Sequence, residues 1–132
     1  DLDTVMNSTS LNDFGDAIRS YANTGEEDDR DLSRVGMSLD MFRAYTEGYL
    51  SQRAKQLTEP EIDNLAFSAR YITYEQVLRF LMDYIDGDTY YKIKYPEHNL
   101  VRTHAQYELL RSMEKQYGTM CDIVRETVAK YR

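Results

Sequence analysis

The sequence lacks several features that would by themselves assign the protein to a structural class. A single cysteine, Cys121, excludes an internal disulfide framework and a cysteine-rich zinc site, and its helical spacing indicates a small packed side chain. No apolar run approaches the roughly 18 to 20 residues of a membrane-spanning helix. No basic and apolar leader stands at the start. These features predict a cytoplasmic protein with no membrane partner.

Positive charge is also scarce, with 16 Lys and Arg against 23 Asp and Glu and a net charge of -7. This balance argues against a nucleic-acid partner, because a phosphate backbone favours clustered basic residues. The length of 132 residues, with 42% hydrophobic and 30% charged residues, fits one soluble domain, 1–132. Tryptophan is absent, but the 12 tyrosines suit either a core that opens onto a polar ligand or an ordinary helix bundle.

Apolar residues recur at intervals of three and four along most of the chain, which predicts helices over 13–22, 38–57, 59–84 and from 99 to the end. Residues 25–34 are acidic and predict a solvated loop. Residues 1–6 alternate as a short strand does, and 7–10 resemble a turn. The predicted fold is all-α, an antiparallel helical bundle with a short strand remnant at its start. Because one strand cannot stand alone, we expect further residues upstream.

Two carboxylates at the start, Asp1 and Asp3, would lie on one side of an extended segment, although Asp-x-Asp is common by chance. A longer string carries more information. It consists of Asp1-Leu2-Asp3-Thr4-Val5-Met6, a spacer of six residues, and Asp13-Phe14-Gly15-Asp16-Ala17-Ile18-Arg19. It resembles the aminoglycoside phosphotransferase and choline kinase superfamily, most closely its N-acetylhexosamine 1-kinase branch. The resemblance implies that Asp1 binds the catalytic metal, with Asp3 as support or second ligand.

Asp13-Phe14-Gly15 spells the magnesium motif of protein kinases, but it lies downstream of the strand that the resemblance assigns to the metal. We therefore expect Asp13 to be a helix N-cap. The resemblance implies that Asp16 organises the site by bracing its loops, in preference to binding the metal itself.

A second stretch, 71–84 with 87–92 and 98–100, is similar to the acceptor-binding helices of N-acetylhexosamine kinases. The resemblance places Arg79 and Tyr90 at the sugar, where a guanidinium fork and an aromatic hydroxyl suit hydroxyls and an N-acetyl carbonyl. Asp83, Tyr84 and Asp88 are further substrate-binding candidates. In the alternative interpretation Arg79 pairs with Asp83, four residues on, and Tyr90 only fills the loop. We expect His98 to be a loop residue and His104 a helix-face residue, with neither acting as a general base.

The resemblance implies an ATP- and Mg²⁺-dependent kinase that phosphorylates an N-acetylhexosamine at its anomeric hydroxyl. The chain would be its C-terminal, acceptor-binding part. The sequence contains no glycine-rich nucleotide loop and no catalytic loop, so no catalytic residue is expected in this chain and the chain alone is expected to be inactive. One alternative is a kinase for an aminoglycoside, choline or another small alcohol, although Arg79 would repel a cationic acceptor. Another is a non-catalytic helical module that binds a protein partner or a second copy of itself.

Overall fold

The computed structural model describes residues 8–132, which form helices joined by loops. The elements are α1 (Ser8–Tyr21), a 3-10 helix (Leu32–Arg34), α2 (Leu39–Arg53), α3 (Glu59–Asp63), α4 (Leu65–Ile85), α5 (His98–Lys115) and α6 (Tyr117–Tyr131). The all-α prediction is confirmed, and the strand predicted for 1–6 lies outside the described residues. Across the described range, no helix is both long enough and apolar enough to cross a membrane.

Helix α1 begins five residues before the predicted start at Asp13. Ser8 to Ser10, which were predicted to form a turn, belong to this helix, and the predicted N-cap role of Asp13 is wrong because Asp13 lies inside it. The physical reason is the burial of Leu11 together with Phe14. The apolar stripe that faces the core therefore starts at Leu11, and a helical turn precedes it.

Helix α1 packs against α4 at a glycine. A Cβ atom on Gly15 would lie 2.6 Å from the main-chain oxygen of Ser68, a separation that real side chains do not show. The preceding residue, Phe14, is fully buried and contacts Phe42 edge-on, with the ring centroids 6.2 Å apart. The string Asp13-Phe14-Gly15 thus serves as a helix-packing element in this fold.

Two long predicted helices are each divided in two. The helix predicted over 59–84 bends at Asn64, whose backbone has φ -106° and ψ 5°, and the one predicted from 99 onward bends at Gln116, with φ -109° and ψ 9°. The side chain of Asn64 donates to the carbonyl of Pro60 at 2.8 Å, and that of Gln116 donates to the carbonyl of Met37 at 2.9 Å. Spacing alone missed the bends because the apolar stripe continues across them.

Two of the helix start signals in the sequence, at Ser38 and at Thr58, are confirmed. The side chain of Ser38 accepts a hydrogen bond from the backbone N–H of Met41 at 3.1 Å, which caps α2. Thr58 and Glu61 form a reciprocal capping box at the start of α3, with Pro60 in the first turn. Helix α2 ends at Arg53, earlier than the predicted end at 57.

Helices α4 and α5 are antiparallel. The hydroxyl of Thr73 contacts the sulfur of Met113 at 3.5 Å, whereas further along α4 Asp83 contacts Asn99 near the start of α5. The later residue of α4 thus meets the earlier residue of α5. This pair carries most of the residues that the sequence predicts for the acceptor site.

Helices α2 and α6 run in the same direction, which differs from the predicted antiparallel arrangement. Arg43 contacts Glu126 at 3.4 Å, and Ala54 at the end of α2 accepts from Arg132 at 3.1 Å. The contacts therefore advance together along both helices. The two are far apart in sequence, so no short loop forces them into an antiparallel pair.

The acidic stretch 25–34 was predicted to be a solvated loop. Its backbone is in addition held in place by hydrogen bonds to its own carboxylates. The buried carboxylate of Asp29 accepts from the backbone N–H groups of Glu26 at 3.1 Å and Asp31 at 3.0 Å. Asp31 in turn accepts from the N–H of Ser33 at 3.1 Å and caps the 3-10 helix. The negative charge of this segment is thus used largely within the chain.

Candidate functional site

An open groove of about 360 Å³ lies between the C-terminal half of α4 and the segment after it. Three of the predicted acceptor-site residues line this groove, namely Arg79, Asp83 and Tyr90. The other lining residues come from the same helix and the same segment: Glu75, Leu78, Met82, Asp86, Thr89 and Tyr91. We call this feature the acceptor groove, after the role that the sequence predicts for these three residues.

The acceptor groove exists because α4 stops sharply and the chain reverses beside it. Gly87 has φ 95° and Asp88 has φ 63°, the left-handed region that glycine adopts without strain and aspartate tolerates. The backbone N–H of Asp88 donates to the carbonyl of Asp83 at 2.7 Å, which closes the end of the helix. The predicted helix end at Asp86-Gly87-Asp88 is confirmed.

Asp83 holds the returning segment in place. Its carboxylate accepts from the backbone N–H groups of Tyr90 at 2.8 Å and Tyr91 at 3.0 Å, and from the side-chain amide of Asn99 at 2.7 Å. Burial by itself raises the pKa of Asp83, but the hydrogen bonds from Tyr91, Tyr90 and Asn99 outweigh it and the net pKa is lowered. Asp83 therefore has a structural role at the base of the groove, and the alternative pairing with Arg79 does not form.

Asn99, to which the sequence patterns gave no role, joins the groove to α5. This fully buried amide donates to both Asp83 and Asp88, the latter at 3.0 Å, and its oxygen accepts from Arg102 at 2.8 Å. Asp88 is thus engaged within the chain as well. The only sequence signal for Asn99 was its place in the string His98-Asn99-Leu100, because a buried polar role depends on contacts distant in sequence.

Arg79 and Tyr90 differ from Asp83 in having their polar groups open to solvent. The Arg79 side chain is 57% exposed, and within residues 8–132 its one ion pair is with Glu75 at 3.5 Å. Tyr90 is 74% exposed, and its ring meets that of Tyr91 edge-on at 4.8 Å. The structure therefore brings together in one groove the two residues that the sequence predicted for the acceptor. Tyr84 is half-buried and does not line the groove.

Tyr91 forms the inner side of the groove and was not predicted to have a role. Its ring packs against that of Phe80 with centroids 4.9 Å apart, and its hydroxyl accepts from the side chain of Gln76 at 3.1 Å. These contacts fix the ring against which Tyr90 rests. Tyr91 thus links the core to the exposed tyrosine.

Asp16 lies outside the acceptor groove and pairs with Arg19 at 3.0 Å. The Arg19 guanidinium is largely buried and also contacts Glu27 at 2.7 Å and the side-chain oxygen of Gln106 at 3.0 Å. Burial lowers the pKa of Arg19, but the bonds to Glu27 and Asp16 more than offset this and the net pKa is raised. Asp16 thus braces α1 against the acidic loop through an arginine.

His98 connects the acidic loop to the segment beside the groove. Its Nδ1 accepts from the backbone N–H of Lys94 at 3.1 Å, so the proton lies on Nε2, which donates to Asp28 at 2.8 Å. This bond lowers the pKa of Asp28. The prediction of a loop position is wrong, because His98 is buried and begins α5. His104 is exposed on α5, as predicted for a helix-face residue.

The two predicted metal ligands, Asp1 and Asp3, lie outside the described residues. Within 8–132 no group of three or more His, Cys, Asp or Glu side chains is arranged to hold a metal ion.

The described helices also present an exposed apolar stripe. Tyr71, Tyr74, Leu78, Met82 and Ile85 are all exposed on α4, and their spacing of three and four places them along one face of the helix. Leu78 and Met82 also line the acceptor groove, so the stripe and the groove adjoin.

No known protein-family model matches the chain.

Proposed function

We propose that the chain is the acceptor-binding part of an ATP-dependent small-molecule kinase that phosphorylates an N-acetylhexosamine at its anomeric hydroxyl. The observation that supports this most is the position of Arg79 and Tyr90 in one open groove, with both polar groups accessible. The sequence resemblance points to the same two residues independently of their positions in the fold.

The acceptor groove offers the groups that a neutral sugar needs. The Arg79 guanidinium can donate two parallel hydrogen bonds to hydroxyls or to an N-acetyl carbonyl. The exposed ring of Tyr90 can cover the apolar face of a pyranose, and its hydroxyl can donate or accept. Asp83 holds the backbone of Tyr90 and thereby fixes the distance across the groove. The chain would bind and orient the acceptor. Bringing the reactants into position accounts for a large part of the free-energy barrier to phosphoryl transfer.

The nucleotide and the metal would be held elsewhere in the complete enzyme. When bound, ATP would supply the phosphoryl group and Mg²⁺ would neutralise its charge. On the resemblance, Asp1 and Asp3 would bind the metal, and Asp16 would brace the site through its pairing with Arg19. The catalytic aspartate would come from the upstream part of the enzyme.

The decisive experiment measures ATP consumption by the full-length protein with a panel of amino sugars, neutral sugars and aminoglycosides. The proposal expects turnover with an N-acetylhexosamine and a product phosphorylated at the anomeric oxygen. An absence of turnover with every amino sugar would contradict it.

A matched pair of arginine variants tests the groove itself. In the full-length enzyme, Arg79→Ala should raise the KM for the sugar about ten- to a hundredfold, because a hydrogen bond to a charged donor contributes about 1.5–3 kcal/mol. Arg43→Ala is the control, since Arg43 is also about half exposed and has one carboxylate partner, Glu126 at 3.4 Å, but lies outside the groove. Equal KM values for the two variants would remove Arg79 from the acceptor site.

A cationic acceptor is the second candidate, and the acidic lining of the groove favours it. Glu75 and Asp86 both line the groove beside two tyrosine rings, a setting that suits an ammonium group. Arg79 opposes this candidate. In the full-length enzyme, Glu75→Gln would raise the KM for an aminoglycoside or choline under this candidate, whereas the KM for a neutral sugar would change little.

A non-catalytic interaction module is the third candidate. Its support is the exposed apolar stripe on α4, because a partner surface would remove these side chains from water. Light scattering of the 132-residue chain and of Leu78→Glu tests the self-associating form of this candidate. Dimers that Leu78→Glu abolishes would favour it, and monomers in both cases would count against it.

A further inference from the structure

Arg102 on α5 contacts three parts of the chain next to the acceptor groove. One of its guanidinium nitrogens donates to the side-chain oxygen of Asn99 at 2.8 Å, and another donates to the backbone carbonyl of Lys92 at 3.1 Å. The guanidinium also lies over the ring of Phe80 on α4, 5.4 Å from the ring centroid. Arg102 thus joins α5, α4 and the returning segment, residues 88–92, although it does not line the groove itself.

The geometry of a guanidinium suits this junction. Its donors lie in one rigid plane, so a single side chain can hold two oxygens while its flat face packs on an aromatic ring. The bond from Arg102 also fixes the orientation of the Asn99 amide, because the reverse orientation would place two donors against each other. The amide nitrogen of Asn99 therefore faces the carboxylates of Asp83 and Asp88, at 2.7 Å and 3.0 Å.

The returning segment is bonded at Tyr90 and again beyond it. The backbone N–H groups of Tyr90 and Tyr91 donate to Asp83 at 2.8 Å and 3.0 Å. Two residues after Tyr90, the carbonyl of Lys92 accepts from Arg102. A segment that is bonded to one carboxylate alone can pivot about it, whereas a second bond further along the backbone prevents the pivot. Asp83 and Arg102 together therefore fix the backbone that carries Tyr90.

We propose that Arg102 is a positioning residue for the acceptor, an inference that rests on the proposed function. Arg102 does not contact the acceptor and acts through Lys92 and Asn99. By holding the returning segment, it keeps Tyr90 in place relative to Arg79. Loss of the guanidinium leaves both groove residues present but lets the distance between them vary, so acceptor binding suffers and nucleotide binding does not.

Hydrogen exchange in the 132-residue chain tests the structural step. Arg102→Met keeps an apolar stem and removes both hydrogen bonds. The backbone N–H groups of Tyr90 and Tyr91 should then exchange about tenfold faster, because their segment opens more often. The N–H of Met41, which belongs to the cap of α2 outside the groove, should exchange at an unchanged rate. Equal acceleration at all three residues, or none at the two tyrosines, would overturn the proposal.

Steady-state kinetics of the full-length enzyme tests the consequence for the acceptor. Arg102→Met should raise the KM for an N-acetylhexosamine about five- to tenfold and leave the KM for ATP within about twofold. Arg111→Met is the control, because Arg111 is about half exposed on the same helix and pairs with Glu108 at 3.6 Å outside the groove. It should change neither KM.

Arg102→Lys keeps the charge but loses the plane of donors, so it should restore only part of the lost acceptor binding. If Arg102→Met unfolds, Arg102→Lys decides the question, because it too should raise the KM for the sugar and not that for ATP. An unchanged KM for the sugar in the folded variant, or an equal rise in both KM values, would show that Arg102 does not position the acceptor. If the wild-type enzyme instead turns over no amino sugar, the proposed function is wrong and the role of Arg102 falls with it.

Discussion

Arg19 and Arg79 are both flanked by carboxylates, yet the fold uses them in opposite ways. The Arg19 side chain is only 12% exposed and contacts Asp16, Glu27 and Gln106. Arg79 is 57% exposed and, among the described residues, its one ion pair is with Glu75 at 3.5 Å. The number of internal partners and the depth of burial separate an arginine that holds helices together from one that is free to meet a ligand. Removing Arg19 should therefore affect stability, and removing Arg79 should affect binding.

The largest expected effect on stability concerns Asp83, which holds the segment that lines the groove together with Arg79. Asp83→Ala should lower the unfolding temperature by about 10 °C, because three N–H donors lose their acceptor at once. Asp86→Ala is the control, since that carboxylate lies at the groove surface. Thermal unfolding by circular dichroism measures both. Similar unfolding temperatures for the two variants would show that Asp83 does not hold the returning segment.

The next effect concerns Gly15, which allows the helix of Arg19 to approach the helix of Arg79. Gly15→Ala should cost about 1–3 kcal/mol of unfolding free energy, because the added Cβ would lie 2.6 Å from the carbonyl of Ser68. Gly48→Ala is the matched control: it also lies inside a helix, but a Cβ there meets nothing within 4 Å. It should leave the protein equally stable or up to about 1 kcal/mol more stable. Denaturant unfolding distinguishes the two, and equal free energies would refute the close approach.

A direct comparison of the two arginines should give a smaller difference. Arg19→Met should reduce the unfolding free energy by about 1–2 kcal/mol, because Glu27 and Gln106 lose a buried donor. Arg79→Met should change it by less than about 0.5 kcal/mol, as is usual for an exposed ion pair on a helix. Urea unfolding of both variants tests this. If Arg79→Met were the more damaging, the contrast between the two regions would be wrong.

The smallest effect is in the pH dependence. In the folded state the pKa of Asp28 is lowered by its bond with His98, and that of Asp83 is lowered because three hydrogen bonds outweigh burial. The stabilisation from both is present above the unfolded pKa of about 3.9 and is lost as the pH falls below it through the folded values. The unfolding free energy should therefore fall below about pH 4, and less steeply in Asp83→Asn. Identical pH profiles for the two proteins would contradict this prediction.

Local signals predicted the features that depend on neighbours in sequence. Ser38 and Thr58 cap helices where the sequence indicated, and Asp86-Gly87-Asp88 ends α4. The spacing of apolar residues predicted the helices themselves but not the bends at Asn64 and Gln116. At both bends a polar side chain bonds to a main-chain carbonyl, which the apolar pattern does not record.

The acceptor-site residues were chosen by resemblance, and their role stays a prediction. Arg79 and Tyr90 were selected by resemblance, and the fold places both at one groove. Asp83 and Asp88 were further substrate-binding candidates, and the structure shows that both bond to Asn99. Asn99 lies 16 residues beyond Asp83, and only the antiparallel packing of α4 and α5 brings the two together. Local sequence could not reveal this contact.

By itself the sequence determined the helical class and about half of the helix boundaries, because caps, turns and periodicity act over a few positions. Only the tertiary structure decided which polar residues are free. Arg19, Asp83 and His98 are satisfied by groups distant in sequence, whereas Arg79 remains exposed. Whether a polar group is available to a ligand depends on burial and hydrogen bonding, and both are set when the helices pack.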